Sequence, residues 1–230
     1  MTTDLTAARR HFAETTGAGA GMPARLVEAF ATVPRERFLD PGPWCICGEG
    51  ETRTRTTPDD DPAQVYVNAS IAIDAARQLF NGLPSFLGMT IAALDLQPEQ
   101  RVLHVGPGLG YYSAVMGEMV RPGGSVLAIE VDPGLAARAR SLVLPDSPVD
   151  VRDGNGAGPF TESFDDGDFT ARTLSVVAIY SALGLRDATL GTQLAAALRR
   201  VSPVVTKLTR RPHLQSETCF LHTPDWCLRG

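Results

Sequence analysis

The sequence of 230 residues has few cysteines and no long hydrophobic run. Four cysteines in a chain of this length do not indicate the disulfide framework that small secreted domains need. The longest apolar stretch, about residues 174–183, is too short to cross a bilayer. Polar and basic residues near the start leave no room for the apolar segment of a secretory signal. We therefore expect a cytoplasmic protein with no membrane partner.

The sequence also lacks an excess of positive charge. Its 21 basic and 26 acidic residues give a net charge of −5 at pH 7, so a protein that coats nucleic acid is not expected. Lys207 is the single lysine, and this arginine bias, with 22 glycines and 17 prolines, indicates a GC-rich bacterial genome. Hydrophobic residues make up 43% and charged residues 20%, as in an ordinary globular protein with a sizeable core.

Composition and periodicity divide the chain into three parts. Residues 1–64 contain two predicted helices, at 5–15 and from Pro23 to Val33, and a Pro/Gly-rich stretch at 40–64 that reads as a loop. A loop of that length is either functional or a poorly ordered insertion. Residues 65–160 form a predicted α/β core. Residues 161–230 form a shortened region of strands and one helix that completes the same domain.

The most regular pattern lies within the central part. Strands are predicted at 101–105, 125–129 and 149–151, with helices at 111–120 and 133–144 between them. Before this unit come a short predicted strand at 65–73 and a helix at 84–96. The alternation predicts an α/β fold, a Rossmann-like parallel sheet with flanking helices.

A glycine-rich turn follows the first strand of this unit. Gly106-Pro107-Gly108-Leu109-Gly110 joins the strand to the next helix, and glycine lets a ligand approach the backbone closely. Glu130 lies twenty residues beyond Gly110, at the end of the second strand, where a carboxylate can accept hydrogen bonds from ribose hydroxyls. The pattern predicts a nucleotide-type site. The alternatives are a turn without a ligand and an exposed glutamate at a strand end.

The spacing of the glycines separates two ligand classes. The dinucleotide fingerprint places its third glycine one residue later than Gly110, which argues against an NAD-dependent oxidoreductase. The Gly-x-Gly-x-Gly form, with Glu130 and the pair Asp153-Gly154, resembles class I S-adenosylmethionine-dependent methyltransferases. The resemblance implies that Gly106, Pro107, Gly108 and Gly110 line the methionine moiety. It also implies that Glu130 holds the ribose, that Asp153 contacts the adenine and that Gly154 leaves room for it.

Two further blocks narrow the resemblance. The Val33-Pro34-Arg35-Glu36-Arg37-Phe38 element and the stretch from Val102 to Ala114 are similar to the protein L-isoaspartate O-methyltransferase family, over about residues 24–158. The resemblance implies methyl transfer from S-adenosyl-L-methionine to a peptide, protein or small-molecule acceptor.

The sequence departs from that family in three places. His104 stands where the family has an acidic residue, and Gly82 stands where it has a serine at the reacting centre. Ser85 is either a substitute for that hydroxyl or the N-cap of the next helix; Asn68 and Asn81 are further polar candidates. Only 77 residues follow Asp153, so we expect the sheet to lack a central βα segment.

Two other hypotheses stay open at this point. The chain could be a degenerate, non-catalytic S-adenosylmethionine-binding module, or, against the glycine spacing, an NAD-dependent oxidoreductase. A metal site is not expected, because the spacing of the cysteines and one histidine does not match a zinc knuckle. These residues are Cys45, Cys47, Cys219, His222 and Cys227.

Overall fold

A computed structural model describes residues 4–51, 53–154, 174–178, 207–209 and 220–222 of the chain. Within those residues the α-helices are α1 (Leu5–Ala20), α2 (Ala24–Thr32), α3 (Pro84–Ala92), α4 (Tyr111–Val120) and α5 (Pro133–Leu142). The strands are β1 (Cys45–Gly48), β2 (Arg55–Thr56), β3 (Ala69–Asp74), β4 (Leu79–Phe80), β5 (Arg101–Val105), β6 (Ser125–Glu130), β7 (Val149–Asp153), β8 (Leu174–Ala178), β9 (Lys207–Thr209) and β10 (Phe220–His222). Short 3-10 turns lie at Arg35–Phe38 and Pro62–Val65.

The ends of the helices follow local sequence signals. The Asp4 carboxylate accepts hydrogen bonds from the first backbone N–H groups of α1, and Gly21 ends this helix with a φ of 63°. Asp132 caps α5 in the same way, with Pro133 in the first turn. Pro34 restricts the residue before it to extended backbone, so α2 stops at Thr32 and Val33 is already extended.

The predicted parallel sheet is present, with strand order β7-β6-β5-β8. Strands β5, β6 and β7 pair in parallel, and α4 and α5 connect them and pack against the sheet. The observed bounds of these five elements agree with the predicted ones to within two residues. The α/β fold class predicted from the sequence is therefore confirmed.

The expectation of a missing central strand is corrected by the structure. Strand β8 pairs in parallel with β5 on the side opposite β6, from Arg101↔Leu174 to Val105↔Ala178. Strand β8, from the apolar stretch at 174–183, therefore occupies the place beside β5 that was expected to be empty. Strand order reverses between β5 and β8, and ligands of open α/β sheets bind at the carboxyl ends of the strands at such a point.

Two short strands and the start of a 3-10 turn lie within the predicted loop at 40–64. Strands β1 and β2 lie within it, and they form a four-stranded antiparallel sheet with β3 and β4 in the order β2-β1-β3-β4. The prediction of an irregular loop was wrong because prolines and glycines at the turns hid two short strands. The predicted strand at 65–73 and helix at 84–96 are observed in part, as β3 and α3.

One continuous hydrophobic core joins the N-terminal helices, the antiparallel sheet and α4. Its aromatic side chains contact one another with ring centroids 4.9 to 6.2 Å apart. They are Phe12, Phe30, Phe38, Tyr66, Tyr111 and Tyr112. None of the described helices is both long and apolar enough to cross a membrane. The predicted helix at 187–201, Cys219 and Cys227 lie outside the described residues.

Candidate functional site

The glycine turn adopts a backbone that other residues rarely adopt. Gly106, Gly108 and Gly110 have φ values of 74°, 59° and 92°. A Cβ atom on Gly108 would also lie 2.9 Å from Cδ1 of Ile73 on β3, which is closer than Cβ atoms in proteins normally approach other heavy atoms. The φ values favour glycine, and a side chain at position 108 would also displace the end of the Ile73 side chain. The turn lies at the carboxyl end of β5, where the strand order reverses.

Glu130 is buried and braces this turn. It is 2% exposed, so the reading of an exposed glutamate at a strand end is wrong. Its Oε2 accepts a hydrogen bond from the backbone N of Gly108 at 2.9 Å, and its Oε1 accepts one from the N of Asp132 at 3.1 Å. Burial raises the pKa of this carboxyl, and the backbone hydrogen bonds oppose that rise. No local sequence signal indicates the bond to Gly108, which joins residues 22 positions apart.

Asp153 and Gly154 lie at the same edge of the sheet. In the pairing of β6 with β7, Glu130 is opposite Asp153, and the backbone N of Gly154 donates to the carbonyl of Glu130 at 2.9 Å. The Asp153 side chain is exposed and forms an ion pair with Arg140 at 3.2 Å. The structure therefore brings the glycine turn, Glu130 and Asp153 together at neighbouring strand ends.

His104 lies inside the protein beneath this edge. It is 1% exposed, and its Nδ1 is 2.7 Å from the hydroxyl oxygen of Ser113 on α4. Burial lowers the pKa of His104 to about 3, so the ring is neutral at physiological pH. Its Nε2 is buried without a partner among the described residues. His104 thus places a neutral ring where the similar family has an acid.

Ser85 is not the N-cap of α3, since Leu83 has that position. Instead the side chain of Asn68 caps the helix. Its Oδ1 accepts from the backbone N of Ser85 at 2.9 Å, and its Nδ2 donates to the Ser85 hydroxyl at 3.0 Å. Asn81, the other polar candidate, accepts from the backbone N of Ile71. The hydrogen bonds of Ser85 in the described part of the chain therefore go to Asn68 rather than to the glycine turn.

Gly82 has a backbone conformation that a serine would adopt only with strain. Its φ is 84°, and a Cβ atom there would lie 2.7 Å from Cδ1 of Leu87. The Gly82 carbonyl also accepts a hydrogen bond from the Tyr112 hydroxyl at 3.2 Å, which connects this segment to the first turn of α4. The local backbone disfavours any side chain at this position.

Arg35 is a residue whose importance the sequence did not reveal. Its side chain is fully buried and donates hydrogen bonds to the carbonyls of Val65, Val67 and Ala69, at 2.6 to 2.8 Å. Its guanidinium also lies 5.9 Å from the ring centroid of Tyr111, the first residue of α4. Arg35 therefore holds the segment that carries Asn68 next to the helix that follows the glycine turn. The only sequence signal was its place in the Val-Pro-Arg element.

The fold and the glycine turn together define the class that this chain resembles. A Rossmann-like sheet carries three left-handed glycines in Gly-x-Gly-x-Gly spacing at its switch point, and carboxylates follow the two neighbouring strands. This combination is that of the class I S-adenosylmethionine-dependent methyltransferases.

Comparison with known proteins narrows the resemblance to one family. The model of the family described as protein-L-isoaspartate(D-aspartate) O-methyltransferase matches residues 52–163. A protein-L-isoaspartate O-methyltransferase of Aeropyrum pernix is 34% identical over 116 residues, which cover 50% of this chain and 37% of that protein. One of Methylorubrum populi is 29% identical over 196 residues, covering 82% and 78%. Several other curated relatives are matched over about half of their length or less.

A solved structure titled protein-L-isoaspartate O-methyltransferase is also similar. It shares 21% sequence identity at a TM-score of 0.46, over 66% of this chain and 44% of that one. The family-model match, at residues 52–163, includes the glycine turn at 106–110, Glu130 and Asp153.

Proposed function

We propose that the chain binds S-adenosyl-L-methionine at the glycine turn and transfers its methyl group to an acceptor. The observation that carries the proposal is the joint position of the turn, Glu130 and Asp153 at the ends of three consecutive parallel strands. The similarity to protein-L-isoaspartate O-methyltransferases over residues 52–163 supports it, and the early third glycine does not favour the NAD-dependent alternative.

The residues present fit such a cofactor. A carboxylate offers about four acceptor positions, and the backbone N–H groups of Gly108, Val131 and Asp132 use three of them on Glu130, so one remains for a ribose hydroxyl. Asp153 is exposed at the adjacent strand end, in reach of an adenine placed beside the ribose. Because Gly106, Gly108 and Gly110 have no Cβ atoms, no side chain at these positions blocks the approach of the ligand to the backbone.

The reaction asks little acid–base chemistry of the protein. When bound, the cofactor supplies an electrophilic methyl group on a sulfonium. The chain's own residues would hold the nucleoside, exclude water and align the acceptor with that methyl. For an acceptor that is already a nucleophile, such as a carboxylate, no catalytic serine is needed. This allows an enzyme despite Gly82, and peptide, protein and small-molecule acceptors all remain within the proposal.

Calorimetry with S-adenosylhomocysteine tests the site. Gly108→Val should abolish binding. The valine would be held at a φ of 59°, which branched residues disfavour, and its methyl groups would contact Ile73 and block the approach of the ligand. Gly123→Ala is the matched control, since Gly123 also has positive φ, 81°, but lies in the turn before β6, at the other end of the sheet. Unchanged affinity in a folded Gly108→Val protein would show that the site is assigned wrongly.

A second measurement separates an enzyme from a degenerate binding module. Radiolabelled S-adenosylmethionine would be incubated with the protein and a mixed peptide and small-molecule acceptor set. Transfer of label above the level of the Gly108→Val variant supports methyl transfer. Tight cofactor binding without transfer to any acceptor favours the module.

A further inference from the structure

A second concave site lies away from the glycine turn, between α1, α3 and the segment before β3. It is a cleft of about 280 Å³. Rings of Phe12 and Tyr66 line it, and these two rings are 5.8 Å apart. Val67 and Met89 also line the cleft and are 37% and 48% exposed. The cleft therefore has apolar walls that are partly open to water, with room for a short aliphatic chain.

One part of the cleft is polar and hydrogen-bonded. The amide of Asn68 donates to the Glu49 carboxylate at 2.7 Å and to the Ser85 hydroxyl at 3.0 Å, and all three residues line the cleft. A hydroxyl oxygen has two lone pairs and a carboxylate about four, so both groups keep acceptor capacity after binding Asn68. Asn68 is itself fixed, because its Oδ1 accepts from the backbone N of Ser85.

The charge on the cleft lining, among the described residues, is negative. Glu49 is the only charged residue among those that line it. Within the described residues, no cationic side chain pairs with this carboxylate. Arg9, which contacts the cleft residue Tyr66 from outside the cleft lining, donates to the Tyr66 hydroxyl at 3.0 Å and forms an ion pair with Glu36 at 3.6 Å. The cleft is thus complementary to a cation, and a carboxylate would be repelled.

We propose that this cleft is a binding site for an aliphatic cation, a short apolar chain that ends in an ammonium or guanidinium group. The chain would lie against Phe12, Tyr66 and Met89. The cationic nitrogen would donate to the carboxylate of Glu49 and to the hydroxyl oxygen of Ser85. A lysine-like or arginine-like side chain and a free alkylamine share this chemistry, and the site does not depend on cofactor binding.

Isothermal calorimetry at fixed ionic strength tests this with n-hexylamine, hexan-1-ol and hexanoate as probes. The three probes have the same chain length and differ in charge. We expect hexylamine to bind most tightly, hexanol more weakly and hexanoate most weakly of all. Equal or tighter binding of hexanoate, or no binding of hexylamine, would overturn the proposal.

Two variants locate the site. Glu49→Gln should weaken hexylamine about 2- to 10-fold, as expected for one partly exposed charge contact, and should leave hexanol unchanged. Glu14→Gln is the matched control, because Glu14 is exposed on α1 next to the cleft residue Thr15 but does not line the cleft. An equal effect of both variants would show a general charge effect and no site at Glu49.

Gly19→Leu tests the apolar part without disturbing the fold. Gly19 lines the cleft, lies within α1, and would carry a Cβ atom with nothing within 4 Å. A leucine there should fill the cleft and remove binding of hexylamine and hexanol alike. The stability of α1 should increase, because leucine favours the helix more than glycine does. Binding of hexylamine as tight as in the wild type would place the amine elsewhere and contradict the proposal.

Discussion

At the residue scale, Glu130 combines two roles that a sequence pattern cannot separate. Its carboxylate accepts from the backbone of Gly108 and Asp132, so it shapes the glycine turn whether or not a ligand is present. In the proposed site the same carboxylate also accepts from the ribose. Removing it therefore affects both the turn and the ligand.

We predict that Glu130→Ala weakens S-adenosylhomocysteine by about one to three powers of ten, because each charge-assisted hydrogen bond contributes about 1.5–3 kcal/mol. Glu130→Gln should fall between the alanine variant and the wild type. A 2′,3′-dideoxy analogue isolates the ribose contact: it should bind the wild type poorly and the alanine variant hardly less well. If calorimetry shows equal losses for both ligands, Glu130 supports the turn only.

His104 gives a prediction about pH. Its folded pKa of about 3 lies below the value of 6.5 for an unburied histidine, so below pH 6.5 the unfolded chain binds a proton that the folded chain does not. The free energy of unfolding should therefore fall as the pH falls, by about 2 kcal/mol between pH 8 and pH 5 from this residue. Urea unfolding of His104→Asn should lack that part of the pH dependence. An identical slope in both proteins would contradict the assignment.

At the element scale, the segment before β3 depends on a single buried side chain. Arg35 donates to three of its carbonyls, and the same segment supplies Asn68 to the N-terminus of α3. Tyr66 and Val67 belong to no helix or strand, and the Val67 carbonyl accepts one backbone hydrogen bond, from the N of Ala69 at 2.9 Å. Arg35, in the short 3-10 turn at 35–38, therefore helps to position Asn68 both at the N-terminus of α3 and at the cleft that Asn68 lines.

Arg35→Lys should lower the free energy of unfolding by roughly 2–4 kcal/mol. Two separate guanidinium nitrogens of Arg35 bond these carbonyls, whereas a lysine has one shorter-reaching nitrogen, so at least one carbonyl should lose its partner, and each unsatisfied buried acceptor costs about 1–3 kcal/mol. Arg37→Lys is the control: Arg37 belongs to the same element but is exposed and donates to a single carbonyl, that of Leu142. Denaturant titration compares the two variants. A similar small change in both would mean that Arg35 does not hold this segment.

At the scale of the whole molecule, the parts that resemble the isoaspartyl methyltransferases are the sheet and its glycine turn. The position of the family's serine is occupied by Gly82, whose φ and contact with Leu87 disfavour a side chain. This feature bears on the acceptor rather than on the cofactor.

We predict that methyl-ester formation on an isoaspartyl peptide is absent or much weaker than in a full-length relative, measured with labelled S-adenosylmethionine. Gly82→Ser should not restore it, because the substitution is strained at this φ. Binding of S-adenosylhomocysteine measured in the same samples serves as the control for a functional cofactor site. Strong methyl-ester formation on the isoaspartyl peptide by the wild-type protein would contradict this prediction.

The sequence by itself determined the unit from β5 to β7, because its signals are local. Buried strands ending in glycine, the proline at the start of α5 and the Asp132 cap each act over a few residues, and the observed elements agree with them. The same signals placed Gly106, Gly108, Gly110 and Glu130 at one edge of a parallel sheet.

Only the tertiary structure decided how distant segments meet. The position of β8 beside β5, the pairing of β1 with β3 and the bond from Gly108 to Glu130 all join residues more than twenty positions apart in the chain. Pairing of that kind depends on which partner is available in space, and composition carries no record of it. The same is true of Arg35, whose three carbonyl partners lie 30 to 34 residues away.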